Sequence, residues 1–489
     1  MLELKRAAIR GSLANITSQG VNTILRVGVL IVLARLLTPS DFGIVGMVTT
    51  MVGALHLFKD FGLSTATIQR TTITDRELSA LFWINILVGT ILTIMVLIGA
   101  APMARFYSEP RLFWIAIALS GTFLINAMAI QHAALLQRQM RFTVLAGIET
   151  VSLVAGATVA IVTEELGFGY WALVGMTLSQ LIVYVILVWA ASGWRPSGPH
   201  RLREVIAMVR TGGIVTMNAV VMYVAYNVDK ILLGRIWGAA DLGLYGRAQN
   251  LISFPTDTLN NAVGSVLLST LSRIKNDPQR WKTCFLTGYF LLISITLPVT
   301  ILCALFAEEI IYVVLGPKWM DCVPIFRYLT PTILIYGMIN PMWPVLVSQG
   351  LLVRSLKMAL VLAPIMIVGY SIGLHWGPTG VAIGTSISMA LWVIPHVAWT
   401  VRGTIISLKD ILCAVAKPLI ASLVATLPSY AVAFGLLSQT LPIIRLGAGL
   451  SVFVATYLVV LLFGMRQWPL FHDLVVTLIR GRNSIQAAK

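Results

Sequence analysis

Charge is what this sequence has least of. Asp, Glu, Lys and Arg make up 11% of its 489 residues, while 58% are hydrophobic. A soluble chain carries roughly 25% charge, so a water-soluble protein is excluded. No stretch reads as a soluble domain. Acids are scarcer than bases, 19 against 35, which leaves a formal net charge of +16. Cysteine is nearly absent. Cys284, Cys303, Cys322 and Cys413 form no C-x-x-C pair, and most lie in or near apolar segments, which predicts buried free thiols. The six histidines show no H-E-x-x-H and no other ligand spacing. D-x-D, G-x-S-x-G and P-loop motifs are missing. GFGYWALVG at 167–175 resembles a glycine-rich loop only weakly, and it opens an apolar run. The longest loops reach only about 15–20 residues, too short for an active-site domain outside the membrane. No enzyme, metal or cofactor is expected.

Apolar runs are what the sequence has instead. Stretches of roughly 20 residues, each able to cross a bilayer core of about 30 Å, recur along the whole chain. Hydropathy places about 14 spans, at 12–34, 42–67, 78–101, 113–136, 144–163, 170–193, 206–234, 242–268, 284–306, 325–348, 356–374, 379–401, 414–437 and 441–463. The joints carry turn residues, such as TPSD at 38–41 and WGPTG at 376–380. MLELKRAAIRGSLANITSQG is too polar after its basic start for a cleaved signal peptide, so the first span is expected to be retained.

The basic excess follows topology. With the N-terminus inside, the inner loops and tails hold about 24 Lys and Arg and the outer loops about 7, with acids such as Glu164, Glu165, Glu308 and Glu309 outside. Both termini are therefore expected in the cytoplasm, and no nucleic acid partner is needed to explain the charge.

An internal repeat organises the spans. RLLTPSDFGIVG at 35–46 matches RIWGAADLGLYG at 235–246, pairing Arg35, Asp41, Gly43 and Gly46 with Arg235, Asp241, Gly243 and Gly246. A second echo joins GFGYWALVG at 167–175 to GPTGVAIG at 377–384. Both motifs fall at equivalent joints on the same side, so the repeats are parallel. The expected fold is an all-α integral membrane protein: two six-helix bundles around a central cavity, plus two C-terminal helices. Its divisions are 1–193, a cytoplasmic linker at 194–205, a second bundle at 206–401, spans 13 and 14 within 402–463, and a basic cytoplasmic tail at 464–489.

Charges inside spans mark the candidate site, since each costs roughly 2.5–3.5 kcal/mol at a helix centre. Span 1 carries Ser12, Asn15, Gln19, Asn22 and Arg26 on one helical stripe. Span 8 carries Arg247, Asn250, Asp257 and Asn261, and span 7 carries Asn218, Tyr223, Tyr226, Asn227 and Lys230. Span 2 offers His56, Lys59 and Asp60; Glu149 stands in span 5. Depth groups Arg26, Asp229, Lys230 and Arg247 in the outer half and Lys59, Asp60 and Glu149 in the inner half. Arg26, Lys230 and Arg247, with Asn22 and Tyr226, are candidates to hold an anionic substrate. Asp229 is expected to turn to a basic partner, Arg247 or Arg26, as a clasp. Lys59 and Asp60 either belong to the lumen or snorkel to the inner surface. Glu149 and Asp257 are candidates for proton coupling.

Two segments resemble a known family. LARLLTPSDFGIVGMVTTMVGALHLFKDFGLSTATIQR (33–70) and VDKILLGRIWGAADLGLYGRAQNLISFP (228–255) are similar to hairpins of Wzx-like oligosaccharide flippases. These belong to the multidrug/oligosaccharidyl-lipid/polysaccharide exporter superfamily. The resemblance implies a protein of the bacterial inner membrane. It would move an undecaprenyl-pyrophosphate-linked repeat unit outward by alternating access through a cationic lumen. A polysaccharide polymerase and a chain-length regulator are the implied partners, besides membrane lipids. Asp229 departs from a purely cationic lumen. Competing readings are a multidrug or cation antiporter of the same superfamily and a membrane-embedded polysaccharide polymerase or ligase. Basic residues in the spans count against the first, and short loops against the second.

Overall fold

In a bilayer every backbone amide must find its partner within the protein, and a helix does this locally. The computed structural model describes residues 22–59, 64, 67–68, 73–198, 206–274 and 277–472, with backbone alone at 206–219, 257–263, 265–266, 268–269, 272 and 352. Among the described residues there is no strand. The N-terminal part of the span 1 stripe (Ser12, Asn15, Gln19), Asp60, the side chains of Asn218, Asp257 and Asn261, and most of the basic tail lie outside the described residues.

The helices are α1 (22–36), α2 (Pro39–His56), α3 (Asp75–Tyr107), α4 (Arg111–Arg138), α5 (Phe142–Glu165), α6 (Trp171–Ser192), α7 (Ile206–Ile236), α8 (Ala239–Arg273), α9 (Pro278–Leu305), α10 (Ala307–Val314), α11 (Cys322–Leu329), α12 (Pro331–Ile339), α13 (Met342–Ser348), α14 (Leu352–Gly373), α15 (Gly377–Val401), α16 (Leu408–Tyr430) and α17 (Pro442–Val459). Their starts are written locally. Thr38 with Asp41, Thr74 with Glu77 and Ser407 with Asp410 form capping boxes, each side chain satisfying the other residue's free amide. Gly193 ends α6 in the left-handed conformation that glycine adopts without strain.

Where residues are described, the expected spans coincide with these helices, with three departures. Span 2, expected over 42–67, ends as a helix at His56 and passes into a turn at 57–59. Span 10 is broken into α11, α12 and α13. Pro331 opens α12 and Pro341 precedes α13, and a proline cannot extend the preceding helix's hydrogen-bond ladder. Between spans 9 and 10 the chain also forms the short helix α10, too brief for a span-length hydropathy window. It buries Glu309, which the charge count had placed in a loop; Glu309 is 1% exposed and faces Arg445 of α17 at 3.5 Å.

The chain packs as two compact units, Met1–Gly246 with Leu374–Pro378, and Arg247–Gly373 with Thr379–Lys489. The repeat boundary proposed at 194–205 and this packing boundary differ, because α7 packs against α2. Tyr223 Oη donates to the Thr50 carbonyl at 2.7 Å. At the far end of the same seam the two repeats meet reciprocally. A Cβ on Gly43 would collide with the Ala239 carbonyl, and a Cβ on Gly243 with the Pro39 carbonyl. Both contacts obey the offset of the sequence echo, so these glycines recur because two backbones touch there.

The second echo also has a physical cause. In the first unit Gly169 lies against the Asp41 carboxylate, and Trp237 lies against Gly377 while its Nε1 donates to the Leu374 carbonyl at 2.9 Å. In each half, therefore, one echoed turn rests on the other. Two further features repeat without an obvious sequence signal. Arg141 donates to the Ala191 carbonyl at the end of α6, and Arg354 donates to the Trp399 and Arg402 carbonyls at the end of α15. Gly156 admits the Met176 carbonyl where α5 crosses α6, and Gly369 admits the Gly384 carbonyl where α14 crosses α15. In the second unit α9, α16 and α17 share a core of Phe290, Ala421, Ala425, Phe453 and Tyr457, and Tyr457 Oη donates to the Ser294 carbonyl at 2.6 Å.

Candidate functional site

The first unit holds a half-open cavity of about 700 Å³, lined by α1, α2, α4, α5 and α6. Its size falls within the ~300–1,000 Å³ of small-molecule sites. Asn22 and Arg26 come from α1, His56 from the end of α2, and Lys59 from the turn after it. Asn126 comes from α4, Glu149 from α5, and Gln180 and Tyr184 from α6.

Each side chain is placed by its helix. Asn22 and Arg26 stand one turn apart on the stripe read from the sequence, so both point the same way. Asn22 is buried and its Oδ1 accepts from Thr150 Oγ1 at 2.6 Å. That bond fixes the α5 turn carrying Glu149 against the α1 turn carrying Arg26. His56 stacks on Phe123, with ring centroids 4.5 Å apart. The lining hydroxyls of Thr49, Thr122, Ser152 and Thr177 donate to carbonyls of their own helices. The longer polar side chains are uncommitted. Among the described residues, Arg26, Lys59, Asn126, Glu149 and Gln180 make no side-chain hydrogen bond or ion pair within the protein. They present two cations, one carboxylate and two amides to whatever fills the cavity.

Asn22, Arg26, Lys59 and Glu149 are thus brought together, although depth had set Arg26 apart from Lys59 and Glu149. The cavity wall holds neither Lys230 nor Tyr226. Lys230 is half-buried on α7 and its Nζ donates to Asn227 Oδ1 at 3.0 Å. Asp229 is fully buried, and its carboxylate accepts from Tyr245 Oη at 2.6 Å and from the Lys230 amide at 2.8 Å. The partner given to Asp229 here is a phenol of α8 rather than a guanidinium. Arg247, in the second unit, is half-buried beside Cys322. Asn126, Gln180 and Tyr184 were not singled out from the sequence. Each is an isolated polar residue in an apolar span, and an amide within such a span is the one signal that could have found the first two.

A family profile described as polysaccharide biosynthesis protein matches residues 32–324. The chain belongs to that family. The match bears out the resemblance to Wzx-like exporters carried by residues 33–70 and 228–255. The chain is 27% identical over 379 residues to an uncharacterized membrane protein in the cps region of Klebsiella pneumoniae, covering 76% of this chain and 77% of that one. It is 24% identical to the lipopolysaccharide biosynthesis protein WzxC of Escherichia coli strain K12, covering 72% of each. Among solved structures, the lipid II flippase MurJ in an inward closed conformation superposes with a TM-score of 0.72 at 15% identity, covering 92% of this chain and 98% of that one. At that identity the likeness concerns the fold.

Proposed function

We propose that this protein is a transporter of the bacterial inner membrane, with both termini in the cytoplasm. It flips undecaprenyl-pyrophosphate-linked oligosaccharide repeat units to the outer leaflet by alternating access. The observation that carries the reading is the cavity, where Arg26 and Lys59 make no hydrogen bond or ion pair with the described residues and stand beside Asn22 and Glu149 in spans rich in apolar residues. Unpaired intramembrane cations are costly, and an anionic headgroup offsets that cost. Arg26 offers the planar fork that matches phosphate, and Lys59 a point charge. The names of relatives support the direction of the reading, since WzxC is named for lipopolysaccharide biosynthesis and MurJ as a lipid II flippase.

The α2–α7 seam is the element that must part for outward release. Gly43 and Gly243 close it at the end the charge count places outside. A deletion strain tests the function. Lipid-linked repeat units retained on the cytoplasmic leaflet support a flippase, and units reaching the periplasm unpolymerised contradict it in favour of a polymerase. An antiporter is the second reading, carried by Glu149 alone; drug or cation resistance with undisturbed polysaccharide export would establish it instead.

A further inference from the structure

The cavity is not uniformly charged. Its cations, Arg26 and Lys59, come from α1 and from the turn after α2. The α5–α6 wall contributes Glu149, Ser152, Thr177, Gln180 and Tyr184, and no cation. One wall suits an anion, and the other suits a molecule rich in hydroxyl and N–H donors. A carboxylate only accepts hydrogen bonds, while amide and phenol groups both donate and accept. The Asn22–Thr150 bond holds the two walls in register, one turn from Arg26 and one residue from Glu149.

A glycosyl pyrophosphate has that same division, an anionic linkage joined to a sugar bearing hydroxyl or acetamido donors. Resting on the flippase reading, we propose that Glu149 is the specificity-determining residue for the sugar next to the pyrophosphate. Its carboxylate accepts from the hydroxyl or amide N–H groups of that sugar, while Arg26 and Lys59 hold the phosphates. The site then favours a neutral first sugar or one carrying an N–H. It disfavours a uronic acid at that position, whose carboxylate would face Glu149. The cavity volume accommodates the linkage and the sugar beside it, with the remaining glycan outside.

Two soluble probes separate the parts: farnesyl pyrophosphate, and farnesyl pyrophosphate bearing a single N-acetylglucosamine. Their dissociation constants are measured on the purified full-length protein and on Glu149→Gln, Thr150→Val and Arg26→Gln, each first shown to melt as a folded protein. Wild type is expected to bind the sugar-bearing probe more tightly. Glu149→Gln should weaken that probe roughly tenfold or more, the scale of a hydrogen bond to a charged group. It should leave the bare probe unchanged or bound more tightly. Thr150→Val should act in the same direction, more weakly, as a positioning change. Arg26→Gln should weaken both probes. Equal loss of both probes in Glu149→Gln overturns the inference, and so does unchanged binding of both, including where transport is lost, since that assigns Glu149 to coupling. Failure of wild type to bind either probe overturns the flippase reading beneath it.

Discussion

The two compact units are built on the same repeat and bury different chemistry. Among the described residues, the first unit buries the amides of Asn22, Asn85 and Gln131, the imidazole of His132 and the carboxylate of Asp229. Among the described residues of the second unit, the polar side chains buried as a whole bear hydroxyls, apart from Glu309, although single nitrogens of Trp281, Trp392, His396 and Arg445 are also shielded from solvent. Most of those hydroxyls, such as Thr256, Ser294, Thr296, Thr300 and Thr385, donate to a carbonyl one turn back in their own helix. They are satisfied locally and offer nothing to a ligand. At the Gly156–Gly369 offset, Glu149 falls on Leu362, and at the Gly43–Gly243 offset, Arg26 falls on Tyr226. The scaffold is symmetric and the cavity chemistry is not. Duplication explains the glycine crossings and arginine caps, while Arg26 and Glu149, which bring charge to the cavity of the first unit, have no charged counterpart at these offsets.

The largest expected break in this contrast comes from Arg26→Ala, which should abolish polysaccharide export with the protein still in the membrane. Lys230→Ala should cost less, because its ammonium is already bonded to Asn227 within α7; comparing export in the two variants orders the cavity against the α7 face. Next come the crossing glycines. Gly43→Ala and Gly243→Ala each drive a methyl into a backbone carbonyl, and overpacking of this kind costs about 1–3 kcal/mol. Thermal melts should show similar losses for both, as the reciprocal contact requires. A loss confined to one of them would break the symmetry argument.

Asp229 sharpens the same comparison. Tyr245→Phe removes the donor to a buried carboxylate and should cost about 1–3 kcal/mol of stability, measured by denaturation in detergent. No loss would mean that Asp229 has another partner in the folded protein. The smallest effect belongs to Glu109, in the turn between α3 and α4. The bidentate hydrogen bond from Arg111 holds its carboxyl below the usual carboxylate range. A depressed acid contributes stability that is present above its unfolded value and is lost as pH falls through its folded one. Stability should therefore decline slightly more on acidification in wild type than in Glu109→Gln, and only slightly, because the pair is solvent-screened.

Much of the architecture was legible because membrane burial writes itself into hydropathy. The spans, the parallel repeat and the stripe of Asn22 and Arg26 each follow from period or composition alone. What was hidden depends on which helices touch. The Glu309–Arg445 contact joins α10 to α17 across more than a hundred residues, and no local pattern announces it. Lys230 and Arg26 share a charge and a depth by counting residues, yet only Arg26 faces the cavity, because α7 packs on α2 and the cavity is closed by α4, α5 and α6. Gln180 and Asn126 stand out in the sequence only as amides within apolar spans, and nothing local says that they share a cavity, because a lone amide has no periodicity.

The most direct test of the cavity's role is leaflet exchange in proteoliposomes holding purified protein and a lipid-linked oligosaccharide with a fluorescent glycan. Wild type should move the label between leaflets, and Arg26→Ala, reconstituted at equal density and melting normally, should leave it at the protein-free rate. Equal exchange by the two proteins would contradict the account.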